Sequence, residues 1–525
     1  MDFNKIKLIF HTVKYLRFKQ IAYRLINNVR KRFSNKEYNQ QLKSNVETIQ
    51  WSNTIEKFTS YSGNLEFSFL NIRHKFEGTI DWNYDEYGKL WTYNLNYFDF
   101  LNQSAIKQSE ALILMKDYVE RTEELKDGLE PYPISLRCIN WIKYLSKKKI
   151  QDEAINKSLY NQYLRLLDNL EYHILGNHLL ENGFSLLFGA YYFKDDVLYL
   201  KAKNIIEEEL EEQILKDGAH FELSPMYHQI ILDRVLDCIC LVKENPWKEN
   251  LELLHLMKLK ATEMISWLNK ITFNDDTIPM VNDSTFDISP STSFLTKYAK
   301  SLGIFSKEVD LSGSGYRKFT NDSYEFFADV GRVGPAYQPG HAHADTFNFI
   351  FHSDKPIIVD PGISTYNVGK TRELERSTKY HNTVSIKNDN SSIVWGGFRV
   401  ANRAKVYIEN DNGNYLRAYH DGYKSKKIMH TRIFELKSLD ISITDFINKN
   451  IESQAHFHFH PDCKLELDSS NSLVTVDNIT ITFVGGIELE QKPYLFALGF
   501  NNRREADKIS VTFKNKLQTK IEIKR

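Results

Sequence analysis

The sequence predicts an α+β protein of two domains, in which a helical domain precedes an antiparallel β-sandwich. Before about residue 300, apolar residues recur at the three-and-four spacing of amphipathic helices. After it, apolar and polar residues alternate at the period of two that is typical of half-buried strands. Because a single hydrophobic core stops growing at roughly 250–300 residues, the length of 525 residues also favours two domains.

Residues 41–300 are assigned to the helical domain. Successive helices joined by short connections pack antiparallel, so a helical array or toroid is expected. The predicted helices are Ala105–Thr122, Leu136–Lys147, Ala154–Leu175, Leu179–Phe193, Val197–Ile214, Met226–Lys243 and Leu251–Leu268.

Residues 301–525 are assigned to the β-sandwich. Asn-Gly, Asp-Gly and Gly-Gly steps separate the alternating segments, as expected for antiparallel strands joined by turns. The domain boundary is expected between Ser289 and Gly315, a stretch rich in Ser, Thr and Gly. The predicted strands are Phe347–Phe351, Ile441–Thr444, Lys464–Leu467, Leu473–Val476, Ile479–Phe483 and Ile509–Phe513.

Residues 1–40 form a basic helical segment. Nine Lys and Arg residues occur between residues 1 and 32, against a single acidic residue. Apolar residues recur at roughly helical spacing at Ile9, Val13, Leu16 and Ile21–Ile26. We interpret the segment as a basic helix packed on its own domain. A helix lying on a membrane surface is the alternative.

Composition excludes several classes of protein. A hydrophobic content of 42% and a charged content of 26% are ordinary for a folded globular chain. Lys+Arg and Asp+Glu balance at 68 each, which argues against a nucleic-acid binder. Four cysteines are too few for a disulfide framework, and no run of 18 apolar residues predicts a transmembrane helix. Lys and Arg interrupt every apolar run near the start, so no signal peptide is predicted.

The first candidate site is the segment Gly340–Asp345, which reads Gly-His-Ala-His-Ala-Asp. In an extended chain, His341, His343 and Asp345 lie on one face, and the small residues between them allow close approach of a ligand. Two imidazoles and a carboxylate suit a metal site or a proton-transfer site. The alternative is a set of histidines hydrogen-bonded inside the sandwich.

Two further segments offer metal ligands. Asp360 ends an apolar strand just before a Pro-Gly turn, and His381 precedes the short strand Thr383–Ile386. Together with His343 they supply two imidazoles and one carboxylate, a donor set that binds zinc. Their convergence is a prediction, because they are well separated in the sequence. Alone, Asp360 would be interpreted as a turn residue.

Two helix beginnings carry further polar groups. Asn177 and His178 open one predicted helix, and Ser224-Pro225 is an N-cap and first-turn signature for another. Tyr227 then lies in the first turn, where the positive end of the helix dipole would favour a tyrosinate. A tyrosine at such a position is otherwise a packing residue.

Taken together, these segments resemble the heparinase II/III-like polysaccharide lyases, relatives of heparinase III and oligoalginate lyases. The resemblance implies an incomplete (α/α) toroid followed by an antiparallel β-sandwich, in agreement with the periodicity. The matching blocks occur in the order of the family and are Trp91–Phe98, Pro131–Trp141, Gly176–Asn182, Glu222–His228, Gly340–Asp345, Val359–Gly362 and His381–Thr383.

The resemblance also implies a reaction, the β-elimination of a polysaccharide that contains uronic acid. The C5 proton of the uronate is removed and the 4-O-linked sugar is expelled without water. The uronate carboxylate must be neutralised, the proton accepted and the leaving oxygen protonated. By resemblance, Asn177 and His178 neutralise the carboxylate, while Tyr227 and His341 form the proton-transfer pair. A flanking cation is expected to lower the pKa of Tyr227.

The resemblance implies that His343, Asp360 and His381 hold one structural zinc ion per chain. Arg137 and Glu222 are assigned to substrate binding. An ion-paired or helix-surface role is the alternative for Arg137.

The chain also contains a run of alternating histidines. His456, His458 and His460 could suggest a second metal, but their alternation with Phe457 and Phe459 predicts a sandwich strand.

Two other function classes stay open. One is a glycoside hydrolase that uses Glu181 and Glu222 as an acid/base pair. The other is a glycan-binding or biosynthetic protein without lyase activity. The presence of Asn177, His178, Tyr227 and His341 argues against it. The expected partner is an acidic polysaccharide or oligosaccharide, with no nucleic acid.

The location is expected to be cytoplasmic or membrane-peripheral, because no export signal is recognised. The usual location of the family is the cell envelope. The basic N-terminus resembles that of family members linked to surface-polysaccharide metabolism. The polymer, endo or exo action and the oligomeric state are left open.

Overall fold

The computed structural model describes residues 3–33, 36–42, 46–52, 57–248, 251–470 and 472–524. Helices dominate up to Ser301, and strands dominate from Tyr316 onward. The helical half also contains a small antiparallel sheet with strand order β1 (Tyr61–Gly63), β2 (Glu66–Phe69) and β3 (Ile72–Lys75).

The helices of the first half form two layers. The third, fifth, seventh and ninth helices pack in succession, and the fourth, sixth, eighth and tenth pack against their outer side. This is a two-layered (α/α) array. The helices are α1 (Phe3–Val13), α2 (Phe18–Phe33), α3 (Lys89–Tyr97), α4 (Gln108–Glu120), α5 (Pro131–Lys148), α6 (Glu153–Asp168), α7 (Gly176–Phe193), α8 (Asp196–Gln213), α9 (Pro225–Glu244), α10 (Leu251–Ile271) and α11 (Thr292–Ser301).

Side-chain caps fix where four of these helices begin. Asp152, Asp195, Ser224 and Ser291 each accept a hydrogen bond from a backbone N–H of the first turn of α6, α8, α9 and α11. Such caps satisfy donors that have no partner within the helix. The cap at Ser224 also fixes the position of a site residue.

All the predicted helices are found, but Ala154–Leu175 is too long. Its helix ends at Asp168, and residues 169–175 form turns. The backbone N–H of Glu171 donates to the side chain of Asn182 (Oδ1) at 3.0 Å instead of to a helical carbonyl. The turn places the Glu171 carboxylate beside the start of α7.

The second half is a sandwich of two antiparallel sheets. The smaller has the order β4-β5-β6-β7, and the larger the order β11-β12-β13-β14-β19-β18-β17-β16, with β15 pairing β19 and β8. The helix α12 (Lys370–Glu375) lies among the strands. The strands are β4 (Tyr316–Thr320), β5 (Glu325–Asp329), β6 (Phe349–His352), β7 (Pro356–Ile358), β8 (Val384–Ile386), β9 (Val394–Trp395), β10 (Arg399–Val400), β11 (Val406–Asp411), β12 (Tyr415–His420), β13 (His430–Leu436), β14 (Asp440–Ile447), β15 (Glu452–His458), β16 (Glu466–Asp468), β17 (Leu473–Val476), β18 (Ile479–Gly499) and β19 (Asn502–Ile523).

The smaller sheet has two buried faces. Phe326 and Phe349 pack with Phe434 of the larger sheet inside the sandwich. On the opposite face, Phe327 and Ile350 belong to the core of the helical domain. The two domains therefore share a continuous apolar contact, and the loops at its edge can build a site from both.

The hairpin of β18 and β19 also contacts the helical half. At its turn, the Phe500 carbonyl accepts a hydrogen bond from Asn71 Nδ2 at 3.0 Å. Asn501 Nδ2 donates to the Leu70 carbonyl at 3.1 Å. These two hydrogen bonds connect the hairpin turn to the turn between β2 and β3.

Two further features of the described residues relate to composition. No helix there is long and apolar enough to cross a bilayer. Cys138, Cys238, Cys240 and Cys463 are buried free thiols.

Candidate active site

Three of the four predicted catalytic residues meet where the two domains contact each other. Asn177 and Tyr227 lie in the first turns of α7 and α9. His341 comes from the segment that precedes β6. The Tyr227 and His341 rings stack with centroids 3.9 Å apart, and Asn177 Nδ2 lies 3.4 Å from His341 Nε2.

Glu222 fixes the side chain of Asn177. Its carboxylate accepts the backbone N–H of Asn177 at 3.2 Å and the side-chain amide at 2.8 Å. Gly176 permits this approach, because a Cβ there would lie 2.8 Å from Glu222 Oε1 and its φ is 62°. Glu222, assigned to substrate binding from the sequence, is thus a buried positioning residue for Asn177 in this structure.

The N-terminus of α9 holds Tyr227. Ser224 Oγ accepts the Tyr227 backbone N–H at 3.3 Å and donates to the Asp283 carbonyl at 2.7 Å. The Tyr227 hydroxyl lies 3.1 Å from the hydroxyl of Tyr366. The phenol is therefore fixed both at its backbone and at its oxygen.

The expectation of a lowered pKa for Tyr227 is wrong. Burial of the phenol raises its pKa well above the ordinary value. The hydrogen bond with Tyr366 and the charge of Arg372 oppose this effect, whereas the negative charges of Asp283 and Glu222 add to it, and the pKa stays raised. Tyr227 is accordingly a neutral phenol at neutral pH, which suits a proton donor.

Asp283 sets the tautomer of His341. Its carboxylate oxygen lies 2.8 Å from His341 Nδ1. Because an ionised carboxylate can only accept, Nδ1 carries a proton and donates it to Asp283. His341 Nε2 faces the Asn177 amide and lies 3.5 Å from Glu222 Oε2. The structure thus places an imidazole ring against a phenol, with Nε2 turned toward Asn177.

Asp283 also connects this pair to neighbouring charged groups. It accepts His343 Nε2 at 2.9 Å and Arg372 Nη2 at 2.7 Å. Burial alone would raise the pKa of Asp283, but Arg372 and the two histidines hold it well below the ordinary value. The carboxylate therefore remains ionised although it is fully buried.

His178, the fourth predicted catalytic residue, lies next to Asn177 but contacts a different acid. His178 Nδ1 is 3.0 Å from Glu171 Oε1, and its ring lies 4.6 Å from the ring of Tyr132. Burial opposes the charged form, but Glu171 outweighs it and raises the pKa of His178. Its side chain is 32% exposed, so a ligand can reach the imidazole.

Arg137 does not join the cluster. It is fully buried on α5, where it donates to the carbonyls of Asn96 and Gly128, each at 3.0 Å. Its guanidinium also donates to Gln162 at 2.7 Å and packs over the Tyr118 ring. Its described contacts join elements of the helical domain, which favours a structural role over substrate binding.

The three predicted zinc ligands are neighbours. His381 Nδ1 lies 2.8 Å from Asp360 Oδ2, and the rings of His343 and His381 have centroids 5.2 Å apart. His343 Nδ1, His381 Nε2 and Asp345 Oδ2 are buried without a hydrogen-bond partner. Such orphaned imidazole and carboxylate atoms have the chemistry of zinc donors.

Their present arrangement is nevertheless not a metal-ligand set. Among the residues that the structure describes, no group of three His, Cys, Asp or Glu side chains is placed to hold a metal ion. The Asp360 carboxylate instead accepts Asn348 Nδ2 at 2.6 Å, the Gly362 N–H at 3.0 Å and the His381 ring. The donor types suit zinc, and zinc binding stays a prediction.

Two of the three alternating histidines after Ala455 lie in a sandwich strand, as predicted, whereas His460 lies just beyond its end. Strand β15 contains His456 and His458, both buried. His456 is held between the hydroxyls of Ser385 at 2.8 Å and Ser510 at 3.1 Å.

Sequence reasoning missed four residues of the site. Asp283 stands in the polar stretch Asn282–Thr285, for which no role was predicted. Tyr366, Arg372 and Glu171 carry no local motif. The only available signal was the concentration of Asn, Asp, Ser and Thr around Asp283, a composition that loops share.

Two family models match the chain. The heparinase II/III N-terminal model matches residues 134–312, and the heparinase II/III-like C-terminal model matches residues 307–524.

The chain belongs to the heparinase II/III family.

The sequence-based family assignment is therefore confirmed. The heparin-sulfate lyase of Pedobacter heparinus is 23% identical over 342 residues, which cover 59% of this chain and 49% of the relative. The heparin-sulfate lyase of Bacteroides stercoris is 22% identical over 337 residues, with coverage of 58% and 49%. This chain thus spans about half the length of these curated heparinase relatives.

A solved heparinase III has a similar fold. It superposes with a TM-score of 0.65 at 14% identity, covering 95% of this chain and 89% of that structure. The predicted fold class, helices followed by an antiparallel β-domain, is confirmed by this likeness and by the observed elements.

Proposed function

We propose that the chain is a polysaccharide lyase that cleaves glycans containing uronic acid by β-elimination. The observation that carries the proposal is the stacked pair of Tyr227 and His341, with the Asn177 amide 3.4 Å from the histidine. A phenol, an imidazole lone pair and an amide supply the proton donor, the proton acceptor and a carboxylate ligand. The names of the two curated relatives, both heparin-sulfate lyases, support the same reaction class.

In the proposed reaction, Asn177 and the His178 imidazolium neutralise the uronate carboxylate and make the C5 proton more acidic. His341 Nε2 accepts that proton. Tyr227 donates its phenolic proton to the 4-O oxygen as the C4–O4 bond breaks and the C4–C5 double bond forms. The proton on His341 then returns to the Tyr227 oxygen, and no water is consumed.

The hydrolase alternative finds no support in the two acids on which it depends. Glu181 accepts a hydrogen bond from Arg234 Nε at 2.9 Å inside the helical domain. Glu222 holds the Asn177 amide. Both carboxylates are buried and have structural partners, so neither is placed as the acid or base of a hydrolase.

Product analysis tests the proposal. We would incubate the full chain with uronate polysaccharides and with the surface glycan of the producing bacterium, which we propose as the natural substrate. A lyase gives ultraviolet absorbance from the C4–C5 double bond, and its products sum to the mass of the substrate. Products heavier by one water molecule, or no cleavage of any polymer in the panel, would contradict the proposal.

We also propose that His343, Asp360 and His381 bind one structural zinc ion per chain. The two orphaned ring nitrogens support this proposal. No step of the proposed reaction passes through the metal.

A further inference from the structure

The first helix exposes an apolar face. Ile6, Ile9, Phe10 and Val13 follow the i, i+3, i+4, i+7 spacing that places them on one side of α1. All four are exposed, and Phe10 is 65% accessible. In a surface helix of a soluble protein such a stripe normally faces the core.

The second helix repeats this arrangement. Phe18, Ile21, Leu25 and Val29 lie on one side of α2 and are exposed, with Phe18 at 84% and Leu25 at 63%. An apolar surface that continues over two helices is uncommon on a monomeric soluble protein and marks an interaction site.

The opposite side of α2 attaches it to the body of the protein. Gln20 is buried and donates to the Ile174 carbonyl at 3.0 Å and the Tyr337 carbonyl at 3.4 Å. The Tyr23 ring lies 4.7 Å from the ring of Tyr172. Polar and aromatic groups thus face inward while the aliphatic stripe faces outward, the reverse of ordinary helix packing.

The charge of the two helices restricts what can cover this face. Between residues 5 and 30 there are seven Lys and Arg residues and no Asp or Glu. Lys5, Lys7, Lys14 and Arg24 are exposed. A second copy of the chain on the same face would bring like charges together. An anionic surface would complement them.

We propose that α1 and α2 lie on the surface of an anionic lipid bilayer. Phe10, Phe18 and Leu25 enter the boundary between headgroups and acyl chains. The exposed Lys5, Lys7, Lys14 and Arg24 contact headgroup phosphates, whereas Arg17 and Lys19 pair with Glu212 and Glu208 of the helical domain. The proposal does not rest on the proposed lyase activity. It rests on the outward apolar stripe and the absence of acids on the two helices.

The position of the helices connects the bilayer to the site. Gln20 bonds to Ile174, three residues before Asn177, and to Tyr337, four residues before His341. A chain held in this way keeps the segments that build the site close to the lipid surface, where a glycan carried by the membrane is available.

Vesicle flotation of the full chain tests the proposal. We expect binding to vesicles of phosphatidylcholine with phosphatidylglycerol to be roughly tenfold or more tighter than binding to phosphatidylcholine alone, and to weaken with salt. The double variant Phe10→Ser/Phe18→Ser and the double variant Lys5→Glu/Lys7→Glu should each lose most of this binding.

The matched control is Ile113→Ser/Leu200→Ser, which removes apolar side chains of 64% and 59% exposure on α4 and α8. It should bind vesicles like the parent, and all variants should keep the parental melting temperature. Equal flotation of the Phe10/Phe18 variant and the parent would overturn the proposal. So would an absence of flotation together with concentration-dependent association that the same variant abolishes, because a second chain would then cover the face.

Discussion

At the scale of the residue, Asp283 unites groups that come from distant parts of the chain. Its carboxylate contacts His341, His343 and Arg372, so it connects the proton-transfer pair to one of the predicted zinc ligands. The same carboxylate fixes which nitrogen of His341 carries the proton. A change at Asp283 should therefore affect both the chemistry and the stability of the protein.

We expect Asp283→Asn to lower the free energy of unfolding by about 3–5 kcal/mol, because Arg372 is left buried without its anion. Since the pKa of Asp283 is lowered in the folded protein, its contribution to stability is present above the unfolded pKa of about 3.9 and is lost as the pH falls through the folded value. Urea unfolding from pH 3 to 7 should show that the free energy of unfolding falls less steeply at acid pH in the variant than in the parent.

Asp445→Asn is the control for this prediction. Asp445 pairs with Arg432 and His430 inside the sandwich, and its pKa is lowered to about 2, chiefly by Arg432 against the effect of burial. Both variants should be destabilised, but only Asp283→Asn should abolish elimination at a temperature where both remain folded. Parental activity of folded Asp283→Asn would contradict its positioning role.

The proton-transfer pair gives a second prediction. Tyr227→Phe and His341→Ala should each reduce kcat by the ~10²–10⁴-fold typical of lost general acid–base catalysis. The double variant should be little worse than either single variant, because groups that act in one transition state are not additive. Tyr144→Phe removes a buried hydroxyl that has no hydrogen-bond partner, and it should retain activity. Elimination by Tyr227→Phe at the parental rate would refute the assigned role.

His178 gives a pH dependence. Glu171 raises its pKa, so the imidazolium persists above the ordinary value of about 6.5 and loses its proton as the pH rises through the raised value. We expect kcat/KM to fall on this alkaline side, because His178 loses the positive charge that is proposed to neutralise the uronate carboxylate. In His178→Gln, kcat/KM should be lower at neutral pH and this limb should be missing. If the alkaline fall in kcat/KM persists in His178→Gln, a group other than His178 causes it.

At the scale of the element, the first turn of α9 is the part of the fold on which Tyr227 depends. Ser224 caps the helix and also bonds to the Asp283 carbonyl, so one hydroxyl joins the helix to the loop that orients His341. The site therefore depends on where α9 begins as much as on the residues that follow.

We expect Ser224→Ala to lower the free energy of unfolding by about 0.5–2 kcal/mol through loss of the cap, and to reduce kcat by displacing Tyr227. Ser291→Ala is the matched change at the cap of α11 and should lower stability similarly without affecting kcat. Urea unfolding and initial rates measure both effects. Identical kinetics of the two variants would show that the cap does not position Tyr227.

The elements themselves were largely predictable, because helical and alternating periods report which face is buried. The predictions failed where a tertiary contact decided the outcome. Helix α6 ends at Asp168, and the Glu171 backbone N–H beyond it donates to Asn182. Burial raises the pKa of Tyr227 although the residue lies in the first turn of a helix. Asp283 carries no motif, and only the folded chain shows that His341, His343 and Arg372 meet at its carboxylate.

At the scale of the whole molecule, the predicted zinc ligands join strands and loops of the sandwich near the interface with the helical domain. If they bind zinc, the purified protein should contain about one zinc per chain, at roughly 2.0–2.2 Å from each ligand. His343→Ala should lower the zinc content and the melting temperature together. Metal analysis and calorimetry measure the two quantities.

The control for the zinc prediction is His456→Ala, which removes a buried sandwich histidine held by two serines. This variant should keep its zinc whatever happens to its stability. Full zinc occupancy in His343→Ala, or a metal-free parent protein, would exclude the assigned ligands.

The contact between the β18–β19 turn and the turn after β2 has a consequence for biosynthesis. The hydrogen bonds from Asn71 to Phe500 and from Asn501 to Leu70 join residues that are 429 and 431 positions apart in the sequence. At synthesis rates of about 5–20 residues per second, these partners emerge roughly twenty to ninety seconds later. The small sheet of the helical half is therefore synthesised well before its hydrogen bonds to the β18–β19 turn can form.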